Sequence, residues 1–198
     1  MSVAVFVSGG GSNMQTLIDA NFDIKLVISS AKNAYALERA KNHNIDGFYV
    51  GKRNFEDIDA QTDEIMRLLE EYKIEYIVLA GYLSIITEKL ISKYEHKIIN
   101  IHPSLIPSFC GMGYYGHHVH EGVYNSGVKV TGATVHFVNQ GVDTGEIILQ
   151  DTVCIENTDT PDTIAQKVLK IEHKILPKAL DLLINDRITV KNGRTYIK

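Results

Sequence analysis

The chain has 198 residues, of which 44% are hydrophobic and 22% charged, a composition typical of a globular domain rather than a disordered segment. Its formal net charge is −4, so a general affinity for nucleic acid or for anionic membranes is not expected. Two cysteines, Cys110 and Cys154, are too few for a disulfide framework. No apolar stretch approaches the roughly 20 residues of a membrane-spanning helix, and no signal-peptide pattern precedes the first strand. Together these features predict a cytoplasmic protein whose residues 1–198 form one domain.

The first half of the chain alternates between apolar strand-like runs and segments with helical periodicity. We predict five strands, at 3–7, 24–29, 47–50, 76–80 and 98–101. Helical patterns lie between them, at 12–20, 34–42, 58–72 and 87–93. This alternation is typical of an α/β fold, with a mostly parallel, twisted, Rossmann-like sheet that carries helices on both faces.

The second half departs from strict alternation. Its predicted elements are a glycine-rich loop at 109–116, a helix at 117–124, a pair of strands at 129–138 and 147–155, a long helix that starts near Pro161, and a short hairpin formed by 188–190 and 195–197. Pro177 lies inside the long helix, where we expect it to kink or restart the helix because proline lacks the N–H donor.

The segment from Ser8 to Asn13 joins the first strand to the first helix and contains three consecutive glycines. The amides of Gly11, Ser12 and Asn13 would open that helix, and a helix N-terminus attracts anions. The segment matches neither G-x-G-x-x-G nor a Walker A sequence, so a single phosphate monoester suits it better than a dinucleotide. The alternative is a tight turn in which Ser12 is the N-cap.

Asn100 and His102 are two residues apart at the end of the fifth strand, so their side chains point to the same face. Pro103 then ends the strand. An amide can stabilise an oxyanion, an imidazole can transfer protons, and Asp143 follows another strand from which it could orient His102 and raise its pKa. Ser104 does not lie in a G-x-S-x-G elbow, so no protein nucleophile is indicated. The pattern favours attack by a substrate's own nucleophile on a carbonyl; purely structural roles for each residue are the alternative.

Three other segments each allow a functional and a structural interpretation. The run from His117 to Glu121 is rich in metal-ligand types but lacks metal-site spacing, so we predict a polar helix start and no metal. The loop at 109–116 could be a lid or an ordinary surface loop. Glu172 on the last helix could reach a substrate or face solvent, since the periodicity turns Ile171 and Ile175 inward and leaves Glu172 to one side.

Five motifs occur in an order and spacing that resemble one enzyme family. They are Ser8 to Asn13, Leu79-Ala80-Gly81-Tyr82, Asn100 to Pro107, Thr134 to Val138, and Asp143-Thr144-Gly145. The chain resembles the phosphoribosylglycinamide formyltransferase family, folate-dependent enzymes of purine synthesis. The resemblance extends from the first residues to about Ile184.

The resemblance implies transfer of a formyl group from 10-formyltetrahydrofolate, as co-substrate, to the amine of glycinamide ribonucleotide through a tetrahedral intermediate. It implies that Asn100, His102 and Asp143 are catalytic. By the same resemblance, the ribonucleotide is bound by Gly11, Ser12, Asn13, Pro103 and Glu172. The folate is bound by Leu83, Ser84, Ile85, Ile86, Asn100, Asn139, Gln140, Gly141, Val142 and Asp143. Small molecules are then the only implied partners, without nucleic acid, membrane or metal, and the chain is a monomer or a homodimer.

Two alternatives stay open. One is another enzyme on the same fold, such as a formyltetrahydrofolate hydrolase or a tRNA formyltransferase. Those enzymes carry an extra N-terminal or C-terminal domain, and we expect neither here because the chain starts at the first strand and ends soon after the last helix. The other is a non-catalytic phosphate-binding module, which the presence of all three candidate catalytic residues argues against.

Overall fold

The computed structural model describes residues 1–198. The elements in chain order are β1 (Val3–Val7), α1 (Ser12–Asp19), β2 (Ile24–Ser29), α2 (Tyr35–Asn42), β3 (Asp46–Tyr49), a 3-10 helix (Lys52–Asn54), α3 (Ile58–Glu71), β4 (Tyr76–Leu79), α4 (Glu88–Lys93), β5 (Ile98–His102), α5 (His117–Ser126), β6 (Val130–Phe137), β7 (Ile147–Cys154), α6 (Pro161–Ile184), β8 (Ile188–Lys191) and β9 (Arg194–Ile197). The strand order of the main sheet is β3-β2-β1-β4-β5-β6-β7, and β8 and β9 form a separate two-stranded sheet. The chain divides into two compact units, Met1–Ile99 and Asn100–Lys198.

The first unit is built on parallel strands. β1 pairs with β2 and with β4, and β2 pairs with β3, all in parallel. Every residue of β1 is buried, so both faces of the sheet are covered at this strand. Such coverage explains why β1 is continuously apolar, since no side chain on it faces water.

The second unit contains an antiparallel pair, β6 and β7, in which Thr134 lies opposite Gln150. The register shifts between Val135 and His136 near the end of β6. Helix α6 packs against both strands and against α5. A Thr160 N-cap and its capping box with Thr163 fix where α6 begins.

The α/β fold with a mostly parallel sheet is confirmed, and each predicted strand and helix is present within two residues of its expected bounds. The sequence did not indicate the 3-10 helix at Lys52–Asn54. None of the helices combines the length with the apolar composition that crossing a bilayer demands.

The prediction that Pro177 restarts the last helix is wrong, because α6 runs without interruption from Pro161 to Ile184. Ile175 and Leu176 before the proline are buried, as are Ala179 and Leu180 after it. Burial of apolar side chains on both sides of Pro177 stabilises the helix by more than the missing backbone hydrogen bond costs.

Candidate functional site

The glycine turn of the first unit depends on Gly11. This residue is the N-cap of α1 and has φ 72°, in the left-handed region that favours glycine. A Cβ atom at Gly11 would lie 2.7 Å from the Cβ of Ala36. The alternative in which Ser12 is the N-cap is therefore wrong, since Ser12 is the first helical residue and no side chain caps this helix end.

Arg39 brings a positive charge to the same turn. Its Nε donates to the carbonyl oxygen of Gly10 at 2.8 Å, and its guanidinium lies 5.0 Å from the ring centroid of Tyr35. A Cβ atom at Gly9 or Gly10 would meet nothing within 4 Å, so the outer part of the turn borders open space. Sequence reasoning did not single out Arg39, because an arginine on a helix is most often a solvent-exposed residue.

The segment at 83–86 is tied to that turn through one side chain. Ser8 Oγ accepts a hydrogen bond from the amide of Leu83 at 2.8 Å and lies 2.6 Å from Ser30 Oγ. Leu83 and Ile85 are apolar yet 64% and 73% exposed, while Ser84 and Ile86 are half-buried. Exposed apolar side chains on a fixed loop suit the face of a ring-shaped ligand.

In the second unit, the three candidate catalytic side chains lie around a fourth residue, His136. His102 Nδ1 is 3.6 Å from one carboxylate oxygen of Asp143, and His136 Nε2 is 3.7 Å from the other. Asn100 Nδ2 is 3.1 Å from the same His136 Nε2. The structure thus places an amide, two imidazoles and a carboxylate in one cluster, with both imidazoles almost fully buried.

The glycine-rich loop contacts two members of this cluster. The carbonyl oxygen of Phe109 lies 2.9 Å from His102 Nε2, and the amide of Gly111 donates to Asp143 at 3.0 Å. Because Nε2 faces a carbonyl oxygen, which can only accept, that nitrogen carries a hydrogen. The imidazole of His102 therefore has an acceptor beside each of its nitrogens.

The charge of His102 depends mainly on its burial. Burial lowers the pKa of this imidazole, and the hydrogen bond to Phe109 and the nearby carboxylate of Asp143 only partly oppose that shift. The sequence led us to expect that Asp143 raises the pKa of His102. Asp143 does act in that direction, but the net shift is downward because desolvation is the larger effect.

Asp143 keeps its negative charge. Burial alone would raise its pKa, yet its polar contacts with His136 and Gly111 and its attraction to His102 together lower it. A carboxylate that stays ionised beside His102 can stabilise that imidazole when it becomes positively charged.

Asp143 ends a turn that starts at Asn139. Asn139 Oδ1 accepts from the amide of Gly141 at 3.1 Å and from Thr144 Oγ1 at 2.7 Å. Asp143 itself has φ 56°, in the left-handed region. The turn between these residues presents Gln140, Gly141 and Val142 as exposed residues.

Pro103 is half-buried directly after β5, in a loop that β6 holds in place. Thr134 Oγ1 donates to the carbonyl oxygen of Ser104 at 2.6 Å and accepts from the amide of Ile106 at 3.1 Å. Gln150 from β7 also donates to Thr134 Oγ1, at 2.9 Å. The loop that follows the candidate catalytic residues is therefore anchored to the antiparallel pair.

Glu172 is 8% exposed and lies on the buried side of α6, whereas Ile171 is only half-buried. The prediction that Ile171 faces inward and leaves Glu172 to one side is therefore wrong for this pair. A helical apolar stripe gives the direction of a side chain to within about one position, which is too coarse to separate neighbours.

The histidine-rich start of α5 divides into exposed and buried members. His117 and His118 are exposed and lie 3.8 Å and 3.1 Å from Glu121 carboxylate oxygens. His120 is 6% exposed, and its Nδ1 has no hydrogen-bond partner. Burial, together with the charges of His117 and His102, lowers the pKa of His120 to about 4.

Sequence reasoning gave no separate role to His136 or Thr134, although both lie within one of the five motifs. The available signal was their two-residue spacing on a strand, the same signal that paired Asn100 with His102. β6 is buried at all but its first residue, so burial does not separate the face that carries these two residues from the other face.

Comparison with known proteins gives consistent results. A family model described as formyl transferase matches residues 1–180. The chain is similar to a chloroplastic phosphoribosylglycinamide formyltransferase of Arabidopsis thaliana, with 36% identity over 94% of this chain and 66% of the plant protein. It is also similar to the trifunctional purine biosynthetic protein adenosine-3 of Bos taurus, with 38% identity over 97% of this chain and 19% of the bovine one.

A solved structure of phosphoribosylglycinamide formyltransferase from Anaplasma phagocytophilum matches with a TM-score of 0.90 and 35% identity. This match covers 100% of the present chain and 94% of the other. In contrast, the chain spans slightly less than two thirds of the plant relative and about a fifth of the bovine one.

Proposed function

This chain belongs to the formyl transferase family, and we propose that it transfers the formyl group of 10-formyltetrahydrofolate to the amine of glycinamide ribonucleotide. The product would enter purine biosynthesis. The single observation that carries the proposal is the meeting of Asn100, His102 and Asp143 in one cluster. Such a set suits acyl transfer between two bound substrates, because it supplies an oxyanion donor and a proton carrier without a protein nucleophile.

Asn100 is proposed to stabilise the negative charge that develops on the formyl oxygen. Its Nδ2 carries two hydrogens, and only one of them is needed for the contact with His136. The second hydrogen can then bind the oxyanion. In a site shielded from water such a hydrogen bond contributes more than it would on the surface.

His102 is proposed to carry the proton, with Asp143 as its partner. Because burial lowers its pKa, His102 is mainly neutral near pH 7 and can accept a proton as the attacking amine becomes positively charged. The ionised carboxylate of Asp143 then stabilises the imidazolium. His102 can return the proton to the leaving nitrogen of the folate.

The ribonucleotide phosphate is proposed to bind at Gly11, Ser12 and Asn13. The uncapped start of α1 supports this, as does the guanidinium of Arg39 next to Gly10. Pro103 and Glu172 are proposed to contact the rest of this substrate. Through its carboxyl oxygens Glu172 can bind a hydroxyl or an amine.

The folate is proposed to bind along 83–86, at Asn100 and along 139–143. The exposed apolar side chains of Leu83, Ile85 and Val142 support contact with a ring. Backbone groups of the fixed turn at 139–143 can form hydrogen bonds with ring nitrogens. When bound, 10-formyltetrahydrofolate supplies a formyl carbon that is activated toward an amine.

We also propose that residues 1–198 act as one formyltransferase domain in the cytoplasm, on small molecules and without a metal, nucleic acid or membrane partner. The match of the family model to residues 1–180 supports the assignment of a single domain. Whether the chain is a monomer or a homodimer can be determined by light scattering.

The reaction is tested directly with 10-formyl-5,8-dideazafolate as the donor, because its deformylated product absorbs differently from the donor. We expect release of that product only when glycinamide ribonucleotide is also present. Release with formate and without the amine would indicate a hydrolase instead. No release under either condition would leave a phosphate-binding module as the better description.

Replacement of His102 tests the proposed proton carrier. We expect His102→Ala to lower kcat by about 100- to 10,000-fold, in the range of lost acid–base catalysis, with a much smaller change in KM. The matched control is His118→Ala, which removes an exposed histidine of the same unit. Turnover of His102→Ala within a few-fold of wild type would refute the role.

A further inference from the structure

We propose that His136 is a positioning residue for Asn100: it fixes the orientation of the Asn100 carboxamide so that one N–H stays available to the developing oxyanion. This inference rests on the proposed formyl transfer. It adds a residue to which neither the motifs nor the resemblance assigns a role. Two hydrogen bonds of one buried imidazole support it.

The first contact determines the tautomer of His136. Nδ1 lies 2.7 Å from the carbonyl oxygen of Phe137, the next residue on the strand. A carbonyl oxygen only accepts hydrogen bonds, so Nδ1 must carry a hydrogen. In the neutral imidazole, Nε2 is then a pure acceptor.

The second contact links the tautomer of His136 to the orientation of the Asn100 carboxamide. Nε2 lies 3.1 Å from Asn100 Nδ2, and as an acceptor it requires the amide nitrogen, and not the amide oxygen, to face it. Rotation of the carboxamide by 180° would place Oδ1 against the lone pair of Nε2. The neutral tautomer therefore opposes the flipped amide, in which Asn100 would present an acceptor toward the oxyanion.

Burial and the hydrogen bond to its own strand keep His136 in place. Its side chain is 3% exposed, and Asp143 Oδ1 lies 3.7 Å from Nε2, beyond hydrogen-bond distance, so the amide of Asn100 is the nearer partner of Nε2. Because Phe137 belongs to the same strand, the ring is held against its own backbone and does not depend on a mobile loop. On the same face of β6, two residues earlier, Thr134 anchors the loop that follows β5.

Two conservative variants separate positioning from packing. The carboxamide of a glutamine lies where the Nε2 of a histidine lies, so the new side chain in His136→Gln could accept from Asn100. The shorter side chain of asparagine puts its carboxamide near the Nδ1 position and cannot reach Asn100. We expect His136→Asn to lower kcat by about 10- to 100-fold, as a misplaced catalytic group does, with KM changed less than about threefold, and His136→Gln to stay within about fivefold of wild type.

A double-mutant cycle then tests whether His136 acts through Asn100. In the Asn100→Ala background we expect His136→Asn to change kcat by less than about twofold, since no amide is left to position. Effects that multiply, or a His136→Gln variant as slow as His136→Asn, would overturn the inference. Thermal unfolding of each variant identifies any loss of activity that comes from misfolding.

The tautomer can be read without any turnover, by nitrogen NMR of wild-type protein with ¹⁵N-labelled histidine. We expect His136, assigned from the signal that disappears in His136→Gln, to show a protonated Nδ1 and an unprotonated Nε2 at pH 7.5. A protonated Nε2 would overturn the inference, even if the protein transfers formyl groups. Conversely, absence of formyl transfer would refute the proposed function while the tautomer still reports whether His136 fixes Asn100.

Discussion

At His102, two opposing effects set the charge of the imidazole. Both of its nitrogens face acceptors, Phe109 O at 2.9 Å and Asp143 at 3.6 Å, an arrangement that favours the protonated ring. Desolvation favours the neutral ring and is the larger effect, so the pKa lies below the usual value for histidine. The carboxylate of Asp143 therefore favours protonation of His102, but the imidazole is still mainly neutral near pH 7.

Removal of that carboxylate should lower the pKa of His102 further. In Asp143→Asn the attraction that favours the imidazolium is lost while the burial remains, so we expect the titration of His102 to move to still lower pH. The chemical shift of its ring C2 proton against pH measures this. Asp162→Asn is the control, because Asp162 lies beside the exposed His117 instead. A higher pKa for His102 in Asp143→Asn would contradict our assignment of the dominant effects.

At the scale of secondary-structure elements, two glycines of the turn between β1 and α1 differ in how much space surrounds them. Gly11 has a left-handed backbone, and a Cβ atom there would lie 2.7 Å from the Cβ of Ala36, while a Cβ atom at Gly10 would have open space. We expect Gly11→Ala to lower the free energy of unfolding by about 2–4 kcal/mol, from backbone strain and overpacking together. Gly10→Ala is the matched control.

Urea unfolding of both variants gives the comparison. We expect the Gly10→Ala midpoint to stay close to that of wild type, because its Cβ would meet no neighbouring atom. Equal stability of the two variants would mean that the turn adapts to a side chain at position 11. That result would also remove the steric reason for a glycine beside the proposed phosphate site.

The elements of the fold could be predicted because alternating apolar runs and helical periodicity are local properties of the sequence. The pairing of Asn100 with His102 followed from the two-residue period of a strand. His136 has the same spacing from Thr134, but the spacing does not show which residues its side chain contacts. Its role depends on hydrogen bonds to Phe137 and Asn100, of which the second joins residues 36 positions apart.

Two further properties of the site were beyond sequence reasoning because they are set by burial. The net direction of the His102 pKa shift depends on how much water the fold excludes, which the residues near it in sequence do not reveal. The continuity of α6 through Pro177 likewise depends on the packing of apolar residues around it. In both cases the tertiary contacts have a larger effect than the local preference on which the expectation was based.

At the scale of the whole molecule, burial of histidines links stability to pH. The pKa values of His102, His120 and His173 are all lowered by burial, and that of His120 to about 4. Between pH 6.5 and 4 the unfolded chain therefore binds protons that the folded chain does not. Stability must fall as pH falls through this window. The lowered pKa of Asp159, about 2, acts only at more acidic pH, below the usual range of aspartate.

Replacement of His120 should remove a large part of that pH dependence. We expect the free energy of unfolding of wild type to fall between pH 6.5 and 4, with about 2 kcal/mol of the loss due to His120, since one pKa unit corresponds to about 1.4 kcal/mol and some relaxation around the charge reduces the full shift. The side chain introduced by His120→Leu cannot be protonated. Because His120 Nδ1 has no hydrogen-bond partner, its removal breaks no hydrogen bond at that atom.

Urea unfolding at half-unit pH steps measures this dependence. The free energy of unfolding should fall less steeply with pH for His120→Leu than for wild type. It should fall as in wild type for His118→Leu, which alters an exposed histidine of the same helix. If His120→Leu declined as steeply as wild type, His120 would have to be protonated in the folded protein, and its burial would carry no cost.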